Sequence, residues 1–283
     1  MRIRKAVITA ASPSQRRLPL QNLIDRDGQE RSVLGILLEE VVRARVEEIC
    51  VVVCPGDAEH YALVTGDHAG RVRFVEQHEP RGYGHAIHCA REFTAGEPFL
   101  HLVSDHLYVN HTKASCATEL IEVAELEDCS VSSVQATREG QLKQFGAVGG
   151  QRVAGRERLY KVDTVLEKPT PTEAEQRIVV PGLRSGHYLC FFGMHVLAPA
   201  VMTILEELLA DPRTTTVSLS MALAELARRE RFLALRMTQR RYDLGVRYGL
   251  LTAQLALGLS GRDRDEILSQ MVELMALREM AAK

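Results

Sequence analysis

Short apolar runs alternate with longer stretches of helical periodicity through the first half of this chain. Such alternation predicts βαβ units, because neighbouring parallel strands need a crossover connection that a helix commonly supplies. The sequence predicts strands at 6–11, 49–54, 72–76, 99–103 and 130–137, and helices at 33–46, 84–93 and 112–127. We therefore expect an α/β fold with a Rossmann-like, mainly parallel mixed sheet flanked by helices.

The rhythm changes after about residue 140, where glycines separate short strand-like segments. This pattern favours an inserted β-hairpin subdomain over another βαβ unit. The remaining predicted elements are strands at 186–192 and 232–237 and helices at 196–209, 218–229, 246–257 and 263–280. We expect a single domain over residues 1–258, with one half ending near 138 and the other spanning 139–258, followed by a C-terminal helical segment over 259–283.

The last predicted helix has an apolar stripe at helical spacing, made of Ile267, Leu268, Met271, Leu274 and Met275. Such a stripe is more often part of a core or a subunit contact than a ligand site. We therefore expect this helix to contribute to a homo-oligomer.

Composition excludes several classes of function. With 46% hydrophobic and 25% charged residues and a formal net charge of −2, the chain has no overall attraction for nucleic acid or an anionic membrane. No apolar run approaches the length of a membrane span, and the N-terminal run is too short for a secretion signal, so we expect a cytoplasmic protein. The six cysteines form no C-x-x-C pair, which favours buried reduced thiols, and the ten histidines lack zinc-ligand spacing.

Two features of the first half indicate a ligand site. Gly82 and Gly84 open a helix directly after a strand, and glycine backbone there can face a flat or anionic ligand, although an ordinary turn would need the same residues. Asp105 ends a buried strand, at the edge where open α/β sheets bind ligands, although aspartate is also a common cap or turn residue.

Further short segments accompany these two in a fixed order along the chain. The set comprises Lys5-Ala6-Val7-Ile8, Gln77, Gly82-Tyr83-Gly84-His85-Ala86, Val103-Ser104-Asp105, Phe145-Gly146, Glu167-Lys168-Pro169 and Tyr242-Asp243-Leu244-Gly245. In this order they resemble the bacterial UTP–glucose-1-phosphate uridylyltransferases of the sugar nucleotidyltransferase superfamily, and the likeness extends to about residue 255. The resemblance implies transfer of a nucleoside monophosphate unit from UTP or another nucleoside triphosphate to a sugar 1-phosphate, with release of pyrophosphate.

The resemblance also implies a role for each matching residue. It implies that Asp105 and Asp243 bind Mg²⁺, for which a pair of carboxylates is a suitable ligand set. The catalytic residues would be Arg16, Asp105, Lys168 and Asp243, the nucleotide-binding residues Ala10, Ala11, Gln77, Gly82, Gly84 and His85, and the sugar-binding residues Gly146, Glu167 and Lys168. Taken singly, Asp243 is equally compatible with a surface turn.

The loop after the first strand departs from the family's pattern. The family has a G-x-G-T-R loop that holds the triphosphate, whereas this chain has Ser12-Pro13-Ser14-Gln15-Arg16. Proline donates no N–H, and serine does not freely adopt positive φ. In an alignment without gaps, Arg16 matches the family's arginine, and the family's lysine has no counterpart. If Leu18-Pro19 is instead aligned with the later Leu-Pro of the family, Gln15 stands at the lysine position.

The altered loop leaves two functions open. The first is a sugar nucleotidyltransferase with a modified grip on the triphosphate. The alternative is a catalytically impaired homologue that binds a nucleotide sugar as a sensor or partner subunit. A dehydrogenase is less favoured, because its phosphate turn needs glycines where Ser12 and Ser14 stand.

Overall fold

In the computed structural model of the chain, residues 1–109 and 115–281 are described. The strands among these residues are β1 (Lys5–Ala10), β2 (Asn22–Ile24), β3 (Glu30–Ser32), β4 (Glu48–Val53), β5 (Val72–Glu76), β6 (Phe99–Val103), β7 (His106–Val109), β8 (Ser130–Arg138), β9 (Ala147–Arg152), β10 (Leu159–Leu166), β11 (His187–Leu197), β12 (Phe232–Arg236) and β13 (Arg240–Asp243). The α-helices are α1 (Val33–Arg43), α2 (Ala58–Ala62), α3 (Tyr83–His88), α4 (Arg91–Thr94), α5 (Cys116–Glu127), α6 (Pro171–Arg177), α7 (Ala200–Ala210), α8 (Leu219–Arg229), α9 (Gly249–Ser260) and α10 (Arg264–Ala281).

Nine of these strands form one sheet in the order β5-β4-β1-β6-β11-β8-β12-β10-β9. The strands from β5 to β6 run parallel, β11 is antiparallel to both of its neighbours, and β12 is parallel to β8. β1 is buried along its whole length, as expected of a central parallel strand that is covered on both faces. The predicted α/β fold with a mixed sheet is confirmed.

Helices cover both faces of the sheet. α1, α5 and α9 pack on one face, whereas α3, α7 and α8 pack on the other. The N-termini of α1 and α8 are capped by serines, with Ser32 Oγ accepting from the Gly35 amide and Ser218 Oγ from the Met221 amide. An N-cap serine satisfies an amide that the helix leaves unpaired, which explains where these helices begin. None of the described helices combines the length and the apolar character needed to cross a bilayer.

Strand β11 is longer than the sequence predicts. The predicted strand at 186–192 continues through Leu197, and the helix that we expected from residue 196 begins at Ala200. Val196 and Leu197 pair with Leu100 and Phe99 of β6, so sheet pairing overrides the helical spacing of their side chains. A shift in the pairing with β8, next to Gly193 at φ 88°, lets the strand continue past its bend.

Two predicted helices also differ in extent. The helix expected at 84–93 is divided into α3 and α4, which are separated by two residues. The expected start of the next helix at 112 lies outside the described residues, and the described part of that helix begins at Cys116.

The predicted hairpin after residue 140 is formed by β9 and β10. It extends the edge of the main sheet, since β10 pairs with β12 and β9 also pairs with β11. Both predicted halves therefore contribute strands to the same sheet, and the boundary between them stays a prediction.

The C-terminal helix α10 packs against α9 through part of its apolar stripe. Ile267 lies against Gly258 of α9, whereas Leu274 and Met275 are each 68% exposed. The predicted contribution of this helix to a homo-oligomer stays a prediction. All six cysteines are unbridged, and five of them are buried, as the sequence predicts for reduced thiols.

Candidate active site

A cleft with a volume of about 510 Å³ opens at the carboxyl ends of the parallel strands β1 and β6. Open α/β sheets bind ligands at this edge because the loops that follow the strands can diverge there. The cleft brings together residues from both halves of the chain. Of the predicted site residues, those that line it are Ala11, Gln77, Gly82, Asp105, Gly146, Glu167 and Lys168.

A two-stranded ribbon brings two predicted metal ligands together. Asp105 directly precedes β7, and Asp243 is the last residue of β13, which pairs with β7 in antiparallel register. Asp243 stands opposite His106, and the Leu244 amide donates to the Asp105 carbonyl oxygen at 2.8 Å. One ligand atom from each of Asp105, His106 and Asp243 lies within 4.8 Å of the other two. The three side chains could hold a divalent cation.

The environment of Asp105 keeps its carboxyl group ionised. Burial alone would raise its pKa, but hydrogen bonds from His106 and Gln15 outweigh burial and hold the pKa below its ordinary value. The His106 Nδ1 atom lies 2.7 Å from Asp105 Oδ1. An ionised carboxylate is the form that binds a cation.

Gln77 directly follows β5 and lines the cleft. Its side chain is 6% exposed, and the amide Nε2 donates to the Gly82 carbonyl oxygen at 3.2 Å and to His85 Nδ1 at 3.0 Å. Because these bonds use both N–H groups, the orientation of the amide is set and its carbonyl oxygen Oε1 remains as an acceptor. His85 therefore acts on Gln77 and is not itself part of the cleft lining.

The two glycines differ in what they contact. Gly82 has a φ of 100°, and a Cβ added to it would lie 2.6 Å from the Val217 carbonyl oxygen. The Gly84 amide donates to that same oxygen at 2.8 Å. Gly82 lines the cleft, but Gly84 does not, so both glycines are required by the neighbouring chain segment at 216–217 as much as by a ligand.

The first strand presents Ala11 to the cleft and keeps Ala10 behind it. Ala10 is the last residue of β1 and is 4% exposed, whereas Ala11 is a lining residue. Methyl side chains at this point leave room for a flat ligand beside the backbone.

The predicted sugar-binding residues also line the cleft. Ser220 Oγ donates to Glu167 Oε2 at 2.5 Å, and the Lys168 ammonium lies 3.9 Å from the other oxygen of Glu167. Gly146 lies against Ser220 and the Phe191 ring, so close that a Cβ would fit only if one of these side chains moved. A carboxylate and an ammonium side by side can bind hydroxyl and phosphate groups of one ligand.

The loop after β1 places Gln15 in the lining of the cleft and Arg16 outside it. The Arg16 guanidinium forms a two-pronged ion pair with Asp57 at the start of α2, and its carbonyl oxygen accepts from the Tyr61 hydroxyl at 2.8 Å. Arg16 is not among the residues that line the cleft. Gln15 does line it and donates to Asp105.

The floor of the cleft is polar and uncharged. His195 and His101 are paired across β11 and β6, with ring centres 5.7 Å apart, and Ser132 Oγ lies 2.7 Å from His195 Nδ1. Burial lowers the pKa of His195 to about 3 and that of His101 well below its ordinary value. Of the two neutral imidazoles only His195 lines the cleft, and it brings no positive charge to it.

Sequence reasoning missed several contributors to the site. His106 was noted only as a histidine without zinc-ligand spacing, and Ser220 was placed in an ordinary amphipathic helix. Arg241 was not considered, yet its guanidinium stacks on Phe145 at 3.6 Å and donates to the Phe191 carbonyl oxygen, while burial lowers its pKa to about 10. Residues 106–109 alternate between polar and apolar and so indicate one strand of the ribbon, whereas residues 240–243 show no such alternation.

Comparisons with known proteins identify the family to which the chain belongs. Residues 21–258 match the family model described as "Nucleotidyl transferase". The chain is 26% identical to the UTP–glucose-1-phosphate uridylyltransferase YngB of Bacillus subtilis (strain 168), over 96% of this chain and 94% of the relative. It is 24% identical to UTP–glucose-1-phosphate uridylyltransferase 2 of Streptococcus pyogenes serotype M1, over 96% of each chain.

Two solved structures share the fold. A UDP-glucose pyrophosphorylase complexed with UDP-glucose superposes with a TM-score of 0.74 at 22% identity, and the superposition covers 90% of this chain and 98% of that chain. A UTP-bound UGPase from Acinetobacter baumannii superposes with a TM-score of 0.73 at 21% identity, and the superposition covers 95% of this chain and 98% of that chain.

Proposed function

Because the chain belongs to the nucleotidyl transferase family, we propose that it transfers the uridylyl unit of UTP to glucose 1-phosphate, forming UDP-glucose and pyrophosphate. The observation that carries this proposal is the convergence of Asp105, which lines the cleft with Gln77, Glu167 and Lys168, with Asp243, which lies beside the cleft in the neighbouring pocket. These groups supply a base acceptor and a sugar-phosphate clamp in the cleft, and a cation site at its edge.

Gln77 selects the base. Its Oε1 accepts from a ring N–H, which uracil carries at N3 and which cytosine and adenine lack at the corresponding ring nitrogen. The hydrogen bonds to Gly82 and His85 hold the amide in this orientation, because a flipped amide would place Oε1 against the Gly82 carbonyl oxygen.

Glu167 and Lys168 orient the acceptor. The carboxylate, held by Ser220, accepts hydrogen bonds from sugar hydroxyls, and the ammonium attracts the phosphate whose oxygen attacks the α-phosphorus of UTP. Catalysis on this view consists of positioning two anionic substrates and neutralising their charge, and no covalent enzyme intermediate is needed.

Mg²⁺ is the cation that we propose for Asp105 and Asp243. The fit rests on the donor set, since two carboxylates converge and Asp105 stays ionised in spite of its burial. When bound, Mg²⁺ supplies charge neutralisation to the phosphate oxygens of the substrates.

The altered loop supports the second candidate function. Pro13 cannot donate an amide to the triphosphate, and Arg16 is committed to Asp57 in the described structure. A chain that keeps the base and sugar contacts but lacks the triphosphate grip would bind UDP-glucose without making it.

One experiment separates the two functions. Pyrophosphate release is measured with Mg²⁺, glucose 1-phosphate and each of UTP, dTTP, ATP, GTP and CTP. We expect turnover with UTP, and a loss of about 100-fold or more in Asp105→Asn and in Asp243→Asn, because several kcal/mol of charge stabilisation depend on the cation site. Asp265→Asn, at a residue exposed on α10, is the matched control. Absence of turnover together with a rise in Tm on addition of UDP-glucose would establish the binding function instead.

We also propose a cytoplasmic location, supported by the six unbridged cysteines, which suit a reducing compartment. We further propose that the chain self-associates through α10.

A further inference from the structure

His106 is the one member of the three-residue cluster that the proposed function does not use. Its Nδ1 atom lies 2.7 Å from Asp105 Oδ1, its side chain is 11% exposed, and in the ribbon it stands opposite Asp243. A nitrogen ligand atom is therefore built into the same small volume as the two carboxylates.

We propose that His106 is a third protein ligand of the cation, so that the site binds Co²⁺ more tightly than Mg²⁺. This inference rests on the proposed function, because it takes Asp105 and Asp243 as the other two ligands.

The His106 ring also has neighbours other than the carboxylates. The Phe145 ring packs edge-on against it, with ring centres 6.4 Å apart and an interplanar angle of 70°. A Cβ added to Gly193 would lie 3.6 Å from His106 Cδ2, so only a glycine leaves space beside the ring there. A ligand whose orientation is fixed before binding loses less entropy when the cation arrives.

The hydrogen bond to Asp105 does not prevent coordination. A neutral imidazole carries one ring proton, which is donated to Asp105 when it resides on Nδ1. When the proton resides on Nε2 instead, Nδ1 has a free lone pair beside Asp105 Oδ1, within the volume that the ligand atoms of the cluster share. Coordination thus exchanges one hydrogen bond for one metal–nitrogen bond, and the imidazole keeps its proton.

The donor set determines the metal preference. Mg²⁺ prefers oxygen ligands and gains little from an imidazole, whereas the affinity of mixed nitrogen and oxygen sites rises through the first-row metals from Mn²⁺ to Co²⁺ and beyond. An imidazole nitrogen strengthens Co²⁺ binding far more than Mg²⁺ binding, so it is His106 that widens the difference in affinity between the two ions.

The test uses His106→Asn in the full chain. The asparagine Nδ2 group can donate to Asp105 much as Nδ1–H does, but it offers no imidazole nitrogen to a metal. Co²⁺ and Mg²⁺ are titrated separately by calorimetry, without nucleotide, and the visible absorption of bound Co²⁺ is recorded. His78→Asn, at a histidine whose side chain is 75% exposed, is the matched control.

We expect the wild-type protein to bind Co²⁺ at least about tenfold more tightly than Mg²⁺. In His106→Asn the affinity for Co²⁺ should fall by about tenfold or more, with an altered absorption spectrum, while the affinity for Mg²⁺ changes less than about threefold. An unchanged ratio of Co²⁺ to Mg²⁺ affinity in His106→Asn would overturn the proposal and leave His106 as a residue that only positions Asp105. A wild-type protein that binds neither metal also overturns it.

The result is independent of the test of the proposed function. If UDP-glucose is made with Mg²⁺ but the ratio of affinities does not depend on His106, the ligand proposal alone fails. If the ratio changes as expected but no sugar phosphate is turned over, the proposed function alone fails.

Discussion

Replacing Gly146 by alanine tests the geometry of the sugar side of the cleft. The added methyl group would lie 2.6 Å from Ser220 Oγ and 2.7 Å from Phe191 Cδ2, whereas carbon atoms in favourable contact are about 3.5–4.0 Å apart. The Phe191 ring is 9% exposed and is confined by its neighbours, so the Ser220 hydroxyl is the group that must move. That hydroxyl holds Glu167 through a 2.5 Å hydrogen bond.

The size of the effect follows from the bond that is disturbed. A hydrogen bond to a charged group contributes about 1.5–3 kcal/mol. The Glu167 side chain is 42% exposed, and water compensates for part of the loss. We therefore expect about 1.4 kcal/mol of weaker sugar binding, which is a tenfold rise in the KM for glucose 1-phosphate, with little change in the KM for UTP.

Steady-state pyrophosphate release at saturating UTP, with varied glucose 1-phosphate, measures this effect. Ser220→Ala removes the hydroxyl without adding volume and should raise the same KM by a similar factor. Gly140→Ala is the control, because a Cβ there meets no atom within 4 Å. A Gly146→Ala protein with the KM of the wild type would refute the reasoning, since the methyl would then have been accommodated without moving Ser220.

Two further predictions concern Gln77 and His195. Gln77→Glu removes both donated hydrogen bonds and turns an oxygen towards the Gly82 carbonyl, so calorimetric titration should show UDP binding weakened by about tenfold or more. The control Gln270→Glu, on exposed α10, should leave UDP binding unchanged. Normal UDP affinity in Gln77→Glu would disprove the role of the amide. The pKa of His195 is about 3 in the folded chain, against an ordinary 6.5. As the pH falls below 6.5, the imidazole therefore takes up a proton in the unfolded chain but not in the folded chain. The contribution of His195 to stability is complete above pH 6.5 and is lost as the pH falls towards 3. Urea denaturation between pH 6.5 and 5 should therefore show stability falling by about 1.4 kcal/mol per pH unit from this residue, and His195→Asn, but not His187→Asn, should flatten that slope.

The core of the fold was predictable because its signal is local. The fully buried strands β1, β4 and β6 appear in the sequence as apolar runs, and the helices between them show apolar residues at regular spacing. The end of β11 was missed, since the pairing of Val196 with Leu100 depends on a strand almost a hundred residues earlier.

The candidate site was predictable only in part. Asp105 could be assigned from its place at a strand end, but nothing local indicates that Asp243 meets it, because the connecting ribbon consists of two four-residue strands far apart in sequence. The family resemblance supplied this pairing. The same resemblance suggested that Arg16 faces the phosphates, and it could not reveal the ion pair that Asp57 forms with Arg16.

The glycines illustrate a further limit. Gly82 and Gly84 suggested backbone left open to a ligand, whereas much of the space beside them is occupied by the Val217 backbone. Close packing between distant segments excludes side chains as effectively as a ligand does, and sequence alone does not distinguish the two causes.

Because Asp105 and Asp243 are brought together by the ribbon of β7 and β13, the effect of an insertion on the metal site depends on where in the chain the insertion falls. Four residue pairs and the hydrogen bond from the Leu244 amide to the Asp105 carbonyl oxygen align Asp105 with Asp243, so residues added to a surface loop between the two strands need not disturb the carboxylates. A single residue inserted within either strand would instead turn every following side chain to the opposite face of the ribbon. In this lineage, activity could therefore disappear through one small insertion while the nine-stranded sheet, and with it the folded protein, persists.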